Sequence, residues 1–532
     1  MATREEIAFI RDARAGKSSA QLILGKYYLT GGAGLKQNLA TALYWLHRAA
    51  SRDEQEAWTL IGTHVPFEVA ARAEDPMQTC VWYERAFDTG VVQAGLVWAK
   101  LKLAQPGGLA NPAVHRKALV ALEKAADSGI VEAQWLLAQE LKRAGRINST
   151  QELVPADSGN ASASPRIVER GALEWATHAA ANGVLQAQRA LADRAWSIKD
   201  YPAFLQWSAP VARAIADHSS KSDGPVLLPE KDAAFLTRHA NALYLTGEFD
   251  AHEMEQFWEL AAQAGDKDAR LSLGIWYANM DENGDRIAES TRKSNYKKSM
   301  HWLALAGEQG VAKAWYALFK IVTRPNTGLS QHSLSDAQRY LERAAEAGHC
   351  AAQLELGMAS WRTRRSKDSN DVRAAYWLQK AAAQGDADAL ALLGKIATRA
   401  MPAPWAQTAQ QQLTHDVTNT YPFLTARIEL AARFGLSLPE ALLLDVNAAD
   451  RGHCLLVDIR SLHARSKRRL ILIQTGDERM ALTRVGRNFT NIDCGPNGPE
   501  GNYRQRLYLF KKLFAFSEAE NKAMLKSQTE PV

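Results

Sequence analysis

The sequence is poor in the features that mark secreted, metal-binding and membrane proteins. Its four cysteines, Cys80, Cys350, Cys454 and Cys494, are far apart and form no Cys-x-x-Cys motif, so the sequence predicts neither a disulfide framework nor a zinc site. No apolar run approaches the ~18 residues that a transmembrane helix requires. No basic stretch followed by an apolar one marks a signal peptide near residue 1. We therefore expect a cytoplasmic protein with no membrane partner.

The net charge of the chain is small, but its positive charge is concentrated in one segment. The formal net charge of the 532 residues is +6. Residues 460–512 contain 12 lysines and arginines but only 4 acidic residues, so this segment carries an excess of positive charge and the rest of the chain is close to neutral. Any polyanion-binding surface is therefore expected in this segment.

The main pattern is a repeat in which an aromatic residue and an alanine lie at fixed distances from a glycine. An aromatic residue lies eight positions before most of these glycines, and an alanine lies four positions after every one. The glycines are Gly90, Gly129, Gly183, Gly265, Gly310, Gly348 and Gly385, with Asp53 in that place in the first unit. The alanines are Ala57, Ala94, Ala133, Ala187, Ala269, Ala314, Ala352 and Ala389. Chance is a poor explanation for eight alanines in eight units, so the sequence predicts a repeated supersecondary unit.

Each unit has the spacing of a helix pair. In residues 374–385 the aromatic residue and the alanines recur at helical spacing on one face, and the glycine suits the left-handed position that ends a helix. Alanines permit close helix approach, while the aromatic residues fill the gap between neighbouring repeats. One pair cannot bury its own apolar face, so several must stack. The predicted repeat-packing aromatics are Trp45, Trp82, Trp175, Phe257, Trp302, Tyr340 and Trp377.

The segment Leu24-Gly25-Lys26-Tyr27, followed by Ala42-Leu43-Tyr44-Trp45, resembles the Sel-one-like repeat family of short, tetratricopeptide-like units. The resemblance covers roughly residues 16–400. It implies a mainly α fold, an α-solenoid of about eight or nine helix pairs in residues 1–400, and scaffold or adaptor work without enzymatic activity. It also implies a protein partner, which we expect on the concave face of the solenoid, with no cofactor, no metal and no small-molecule substrate. Polar insertions at 144–165, 218–231, 280–295 and 362–370 are predicted to lie between the two helices of a unit.

The period stops near residue 400, and residues 401–532 are predicted to form a small, basic α/β domain. Helices are predicted at 420–434, after Pro439, and at 502–514. Strands are predicted at 454–459, 469–473 and 489–492.

This order of elements resembles the first half of a tyrosine recombinase catalytic domain. Residues 432–442 match its helix start, and 466–473 match its lysine-bearing hairpin. The arginine that the resemblance would place at residue 437 is Ser437 here, and serine cannot clamp a phosphate bidentately. The resemblance therefore implies a catalytically inactive, DNA-associated domain, of the kind encoded on a mobile element.

The basic segment supplies the candidate nucleic-acid-binding residues. They are Arg465, Lys467, Arg468, Arg469, Arg484, Arg487, Arg504, Arg506, Lys511 and Lys512. Phosphate binding by such a set would weaken steeply with salt. The alternatives are an ordinary solvated surface and a patch that docks on an acidic protein.

Residues 401–532 also contain residue types of two other kinds of site. His453, Cys454, His463 and Cys494 fit no common zinc spacing. Asp445, Asp458 and Asp493 could suggest a metal-dependent nuclease, but no Glu-x-Lys partner accompanies them.

The preferred hypothesis is a scaffold whose repeats bind a protein and whose C-terminal segment docks on DNA. A mobile-element protein with an inactive recombinase-like domain and a nuclease are the alternatives.

Overall fold

The computed structural model describes residues 4–32, 34–105, 111–151, 165–220, 228–247, 250–281, 283–287, 293–324 and 331–514. The chain forms two compact units, 1–264 and 265–532. Each is described by itself. Among the described helices, none is long and apolar enough to cross a membrane.

The first unit consists of paired helices. Its elements are α1 (Arg4–Arg14), α2 (Ser18–Thr30), α3 (Leu39–Ala50), α4 (Gln55–His64), α5 (Phe67–Ala70), α6 (Pro76–Asp88), α7 (Val92–Ala104), α8 (Pro112–Asp127), α9 (Val131–Gln151), α10 (Pro165–Ala181), α11 (Leu185–Ser197), α12 (Tyr201–Ser220), α13 (Glu230–Thr246) and α14 (Ala251–Gln263). In each pair, the helix after the turn is called helix A here and the next long helix is called helix B. Helix A packs on its own helix B, and helix B packs on the following helix A.

The second unit continues this pattern and then changes. Its repeat helices are α15 (Lys267–Ala278), α16 (Tyr296–Glu308), α17 (Ala312–Val322), α18 (Gln331–Glu346), α19 (Cys350–Arg362), α20 (Asn370–Ala383) and α21 (Ala387–Ile396). Beyond them lie β1 (Ala397–Arg399), α22 (Pro404–Gln411), α23 (His415–Thr420), α24 (Pro422–Phe434), α25 (Leu438–Leu443), α26 (Val446–Ala449), β2 (Cys454–Val457), β3 (Arg469–Leu472), α27 (Gly476–Asn488) and α28 (Tyr503–Leu513).

The predicted register of glycine and alanine is confirmed. All eight alanines of the register are fully buried. All seven glycines, and Asp53 in the first unit, have positive φ, the conformation that ends a helix and that glycine adopts without strain. Gly385, for example, has a φ of +92°.

A second repeated contact was not predicted. A glutamine lies five residues after the turn in four units, and its side-chain amide donates to the carbonyl three residues before the turn. The pairs are Gln21 with Ala13, Gln134 with Ala126, Gln188 with Ala180 and Gln353 with Ala345. Each bond ties helix A to the end of the preceding helix. The spacing of these glutamines is visible in the sequence, but their partners are backbone atoms, which a sequence pattern does not name.

The Leu-Gly dipeptide of helix A makes room for helix B. A Cβ atom at Gly25 would lie 2.6 Å from Leu46, and one at Gly357 would lie 2.8 Å from Leu378. A Cβ atom at Gly274 would meet Leu303 in the same way. Because real Cβ atoms do not approach so closely, glycine is what allows the leucine of helix B to sit against helix A.

The strands form one sheet in the order β1-β3-β2. The β2–β3 pair is antiparallel, as the hairpin pattern predicted, and β1 pairs with β3 in parallel. The sheet therefore includes residues from both sides of position 400. One face, with Leu456 and Leu470, packs against α20 and α21, and the other, with Leu455 and Ile471, packs among the C-terminal helices.

Four local expectations differ from the structure. The insertion predicted at 144–165 starts later than expected, because α9 continues to Gln151. Residues 489–492 do not form a strand, because α27 ends at Asn488 and a turn follows it. The insertion at 218–231 lies between α12 and α13, that is, between two helix pairs rather than within one. Strand β1 and helix α27 were not predicted. Of the four insertions, residues 152–164, 221–227, 282 and 288–292 lie outside the part of the chain that the structure describes.

Candidate nucleic-acid interface

The exposed face of α28 combines three cations with an aromatic ring. Arg504, Lys511 and Lys512 are exposed, and Tyr508, one turn from Arg504, leaves 70% of its surface exposed. The opposite face buries Phe510 in a cluster with Leu424 and Leu442. The helix contains no acidic residue. Its polar face therefore carries positive charge with no acidic residue on the same helix.

The fold fixes the start of this helix. The Asn502 side chain accepts from the Gln505 backbone N–H at 3.2 Å, and the Gln505 side chain accepts from the Asn502 backbone N–H at 2.8 Å. This reciprocal capping satisfies two of the free donors at a helix N-terminus. Arg504 is thereby held in the first turn of an ordered helix.

A basic loop lies beside the start of α28. Arg465 and Lys467 are exposed in the connection between β2 and β3. The same loop places the His463 ring 6.2 Å from the Tyr503 ring, centroid to centroid, in an edge-to-face arrangement. We call Arg465, Lys467, Arg504, Tyr508, Lys511 and Lys512 the basic edge. None of its five cations forms an ion pair with a residue that the structure describes.

Four of the ten candidate cations bind acidic side chains or carbonyl oxygens of the protein itself. They are Arg468, Arg469, Arg484 and Arg506. Arg468 donates to Asp371 at 2.7 Å and to Asp458 at 3.0 Å, and these hydrogen bonds raise its pKa. Arg469 donates to both carboxylate oxygens of Glu440, at 3.0 and 2.7 Å.

Arg506 is only 4% exposed, so it is unavailable to a ligand at the surface. It donates to the carbonyl oxygens of Leu442 at 2.6 Å and Cys494 at 2.8 Å. Burial lowers its pKa. Arg484 is paired with Glu429 at the surface. Arg487 is exposed near the end of α27, with no described ion-pair partner.

The three aspartates that could suggest a nuclease have local partners. Asp445 caps α26, Asp458 pairs with Arg460 and Arg468, and Asp493 accepts from the Gly495 backbone. Among the residues described, no group of three or more His, Cys, Asp or Glu side chains could hold a metal ion.

An open cleft of about 500 Å³ is lined by Asp445 and Asp458 together with arginines, two of which pair with Asp458. Its lining includes Asp445, Arg451, Asp458, Arg460 and Arg468. Arg460 and Arg468 both donate to Asp458. The hydrogen bond from Arg460 is the main reason that the pKa of Asp458 lies well below its usual range. This mutual pairing gives the cleft less free positive charge than the basic edge.

The predicted repeat aromatics occupy the helix interfaces to different degrees. Trp45, Trp82, Phe257 and Trp377 are buried, whereas Trp175, Trp302 and Tyr340 are partly exposed. Trp82 stacks on Trp58 of the preceding helix A with ring centroids 6.2 Å apart.

Sequence reasoning missed Tyr508, although its spacing of four from Arg504 and three from Lys511 places all three on one helix face.

The comparisons with known proteins agree with the repeat pattern. The Sel1 repeat family model matches residues 18–54, 275–311, 327–349 and 351–386. No curated protein matches the chain.

Two solved structures are similar in part. One is the c5321 protective antigen of uropathogenic Escherichia coli strains, which displays an SLR fold. It is 18% identical over 96% of this chain and 97% of its own, with a TM-score of 0.39. The other is a Sel1 repeat protein from Oxalobacter formigenes, 19% identical over 73% of this chain and 90% of its own, with a TM-score of 0.24. The four family matches establish that this chain carries Sel1 repeats, a family whose members generally act as scaffolds for protein–protein interaction.

Proposed function

We propose that this protein is a non-enzymatic scaffold that joins a protein partner to DNA. Its Sel1 repeats would bind the partner on their concave face, and the basic edge would dock on DNA. The repeat matches support the first part. The second part rests mainly on one observation, the face of α28 on which three exposed cations flank an exposed tyrosine.

The chemistry of the basic edge suits a phosphate backbone. Lysine and arginine side chains neutralise phosphates and release bound counterions, which makes the binding steeply dependent on salt. A tyrosine hydroxyl is a common donor to phosphate oxygens. Nothing in this arrangement reads base edges, so we expect DNA binding without strong sequence preference.

The DNA part can be tested with the full-length protein and a fluorescent duplex of about 25 base pairs. The variant replaces Arg504, Lys511 and Lys512 with alanine. A matched control replaces Lys36, Arg72 and Arg116, three exposed cations of the first unit, and changes the net charge equally. We expect the α28 variant to bind at least tenfold more weakly at low salt, with a shallower dependence of affinity on salt, by about one in log–log slope for each cation removed. No binding by the wild type at low salt, or an equal loss in the control, would contradict the proposal.

The scaffold part needs a different measurement. Cross-linking and mass spectrometry on the full-length protein purified from its native cells should identify a partner whose cross-links fall in residues 18–396. A partner that cross-links only to residues 401–514 would speak against binding by the repeats.

A second candidate is a DNA-associated protein with an inactive recombinase-like domain. The observation that favours it is the order of α25, the β2–β3 hairpin and α28, which follows the order expected from that resemblance. At the position expected for an arginine, Ser437 caps α25, and its backbone N–H donates to Glu440 at 2.8 Å. This candidate predicts DNA binding by the same edge and no strand cleavage, so DNA strand cleavage by the purified protein would exclude it.

A further inference from the structure

The last repeat helix, α21, has no helix B of its own. Like other repeat helices it follows a left-handed glycine, Gly385, and carries the fully buried alanine of the register, Ala389. The chain then continues into β1 rather than into a second helix, and the next helix, α22, packs on α24. The pair of α19 and α20 is therefore followed by half of a pair.

The face of α21 that a helix B would cover is exposed. Leu390 lies five residues after the turn and is 55% exposed, and Ala391 and Gly394 are also exposed. Among the residues equivalent to Leu390 in other units, Gln21, Gln134, Gln188 and Gln353 are buried, whereas Trp58 and Arg270 are partly exposed. The glycines equivalent to Gly394 are buried as well, namely Gly25, Gly274 and Gly357.

Within the part of the chain that the structure describes, neither a close contact nor the backbone conformation requires a glycine at Gly394. A Cβ atom there would have nothing within 4 Å, and Gly394 is absent from the residues with positive φ. Glycine in an exposed helix is about 1 kcal/mol less favourable than alanine. At Gly25, Gly274 and Gly357 that cost is offset because a leucine of helix B occupies the space.

We propose that Leu390, Ala391 and Gly394, here called the open seat, bind an α-helix of a partner protein. The chain's own pairs indicate the chemistry of that helix, because α3, α16 and α20 each place a leucine against the equivalent glycine. The partner helix carries a leucine over Gly394, with small residues beside it that allow close approach. This is helix-in-groove recognition. The inference rests on the proposed scaffold function and names one kind of partner segment.

The probe is a hydrocarbon-stapled, fluorescent peptide with the sequence of α20, Asn370–Ala383, because an unstapled helix of this length is marginal in water. Full-length protein is titrated into it. We expect saturable binding that weakens at least tenfold when Leu378 of the peptide is replaced by alanine. The protein variants Gly394→Leu and, separately, Leu390→Glu are expected to weaken it equally. Both substitutions are at exposed positions, and unchanged circular dichroism checks that the variants fold.

Three outcomes would overturn the open seat: no saturable binding, binding that Gly394→Leu and Leu390→Glu leave unchanged, or a dimer of the wild type that both variants abolish. The last would assign the face to a second copy of the chain. The cross-linked partners of Gly394→Leu separate this inference from the scaffold function. Wild-type partners retained by the variant would leave the scaffold function standing and remove the open seat.

Discussion

A histidine in the first unit shows how strongly burial can lower the pKa of a single side chain. His239 on α13 is 2% exposed. Its Nδ1 lies 2.7 Å from the Ser208 hydroxyl, and its ring lies 5.2 Å from the Phe257 ring. Desolvation lowers the pKa of His239 to about 4, with a smaller opposing effect of Glu253 and a smaller lowering effect of Arg213. The folded protein therefore holds this imidazole neutral.

That environment predicts an acid-sensitive first unit. Because the folded state disfavours the charged ring, the stabilisation is present above pH 6.5 and is lost as the pH falls from about 6.5 to about 4. At about 1.4 kcal/mol for each pKa unit, the loss reaches roughly 3 kcal/mol at low pH. His239→Gln retains a side chain able to hydrogen-bond to Ser208 but cannot be protonated. Denaturant midpoints measured from pH 7.5 to 4.5 should therefore fall less in this variant than in the wild type.

The control for this prediction is His252→Gln, because His252 is exposed. It should keep the pH dependence of the wild type. Equal slopes for all three proteins would show that His239 does not carry the effect.

At the scale of elements, a buried arginine ties α24 to the segment before α28. Arg427 is 1% exposed and donates to both carboxylate oxygens of Glu500, at 2.7 and 2.6 Å. It also donates to the carbonyl oxygens of Ala441 and Leu444, at 2.9 and 2.8 Å. These bonds hold α24, the end of α25 and the residues before α28 together, and so help to fix the helix that carries the basic edge.

Removing the charge of Glu500 should therefore be costly. Glu500→Gln keeps the shape of the side chain but leaves the guanidinium of Arg427 buried without a counter-charge, and breaking a buried pair in this way typically costs about 3–5 kcal/mol. Thermal unfolding of the full-length protein would measure it. In the matched control, Glu429→Gln removes the partner of the exposed Arg484, and a surface pair of this kind contributes less than about 1 kcal/mol. Equal effects of the two substitutions would contradict the structural role given to Arg427.

The elements also show what the sequence could and could not predict. The alanine and glycine register identified the helix pairs because it repeats and because each position has one steric reason. Helix α27 was missed, although Thr475 and Glu478 form the capping box that starts it. The sequence predicts a strand at 489–492, yet Phe489 is buried as the residue that ends α27. Strand β1 is three residues long and exists through its pairing with β3, which no local pattern encodes.

The residues of the candidate site, too, could be predicted from the sequence only in part. A sequence shows where arginines are, but not which of them are buried. Arg468, Arg469 and Arg506 lie among the candidate cations in sequence, whereas in the fold they bind carboxylates and carbonyl oxygens. The helical spacing of Arg504, Tyr508 and Lys511 could have been found from the sequence, since α28 was predicted at nearly its observed bounds.

At the scale of the molecule, the second unit joins two kinds of architecture through a shared core. Arg468 donates to Asp371 at the start of α20, His453 contacts the Val372 carbonyl oxygen at 3.0 Å, and Gln379 donates to the Ile473 carbonyl oxygen at 3.2 Å. The sheet lies between the last repeat helices and the C-terminal helices. We infer that it caps the repeats on one side while supporting the C-terminal helices on the other.

This arrangement predicts that the last repeats and the sheet lose structure together. Leu456 and Leu455 are neighbours on β2, but Leu456 packs with Leu378 and Leu393 of the repeats, whereas Leu455 packs among the C-terminal helices. Replacing a buried leucine with alanine typically costs about 2–5 kcal/mol. Leu456→Ala should therefore speed amide hydrogen exchange in α20, α21 and the sheet at once. Leu455→Ala should act first on α24 and α27. If Leu456→Ala instead loosened only residues 401–514 and left α20 protected, the C-terminal segment would be an independent domain, and its sheet would not be the cap of the repeats.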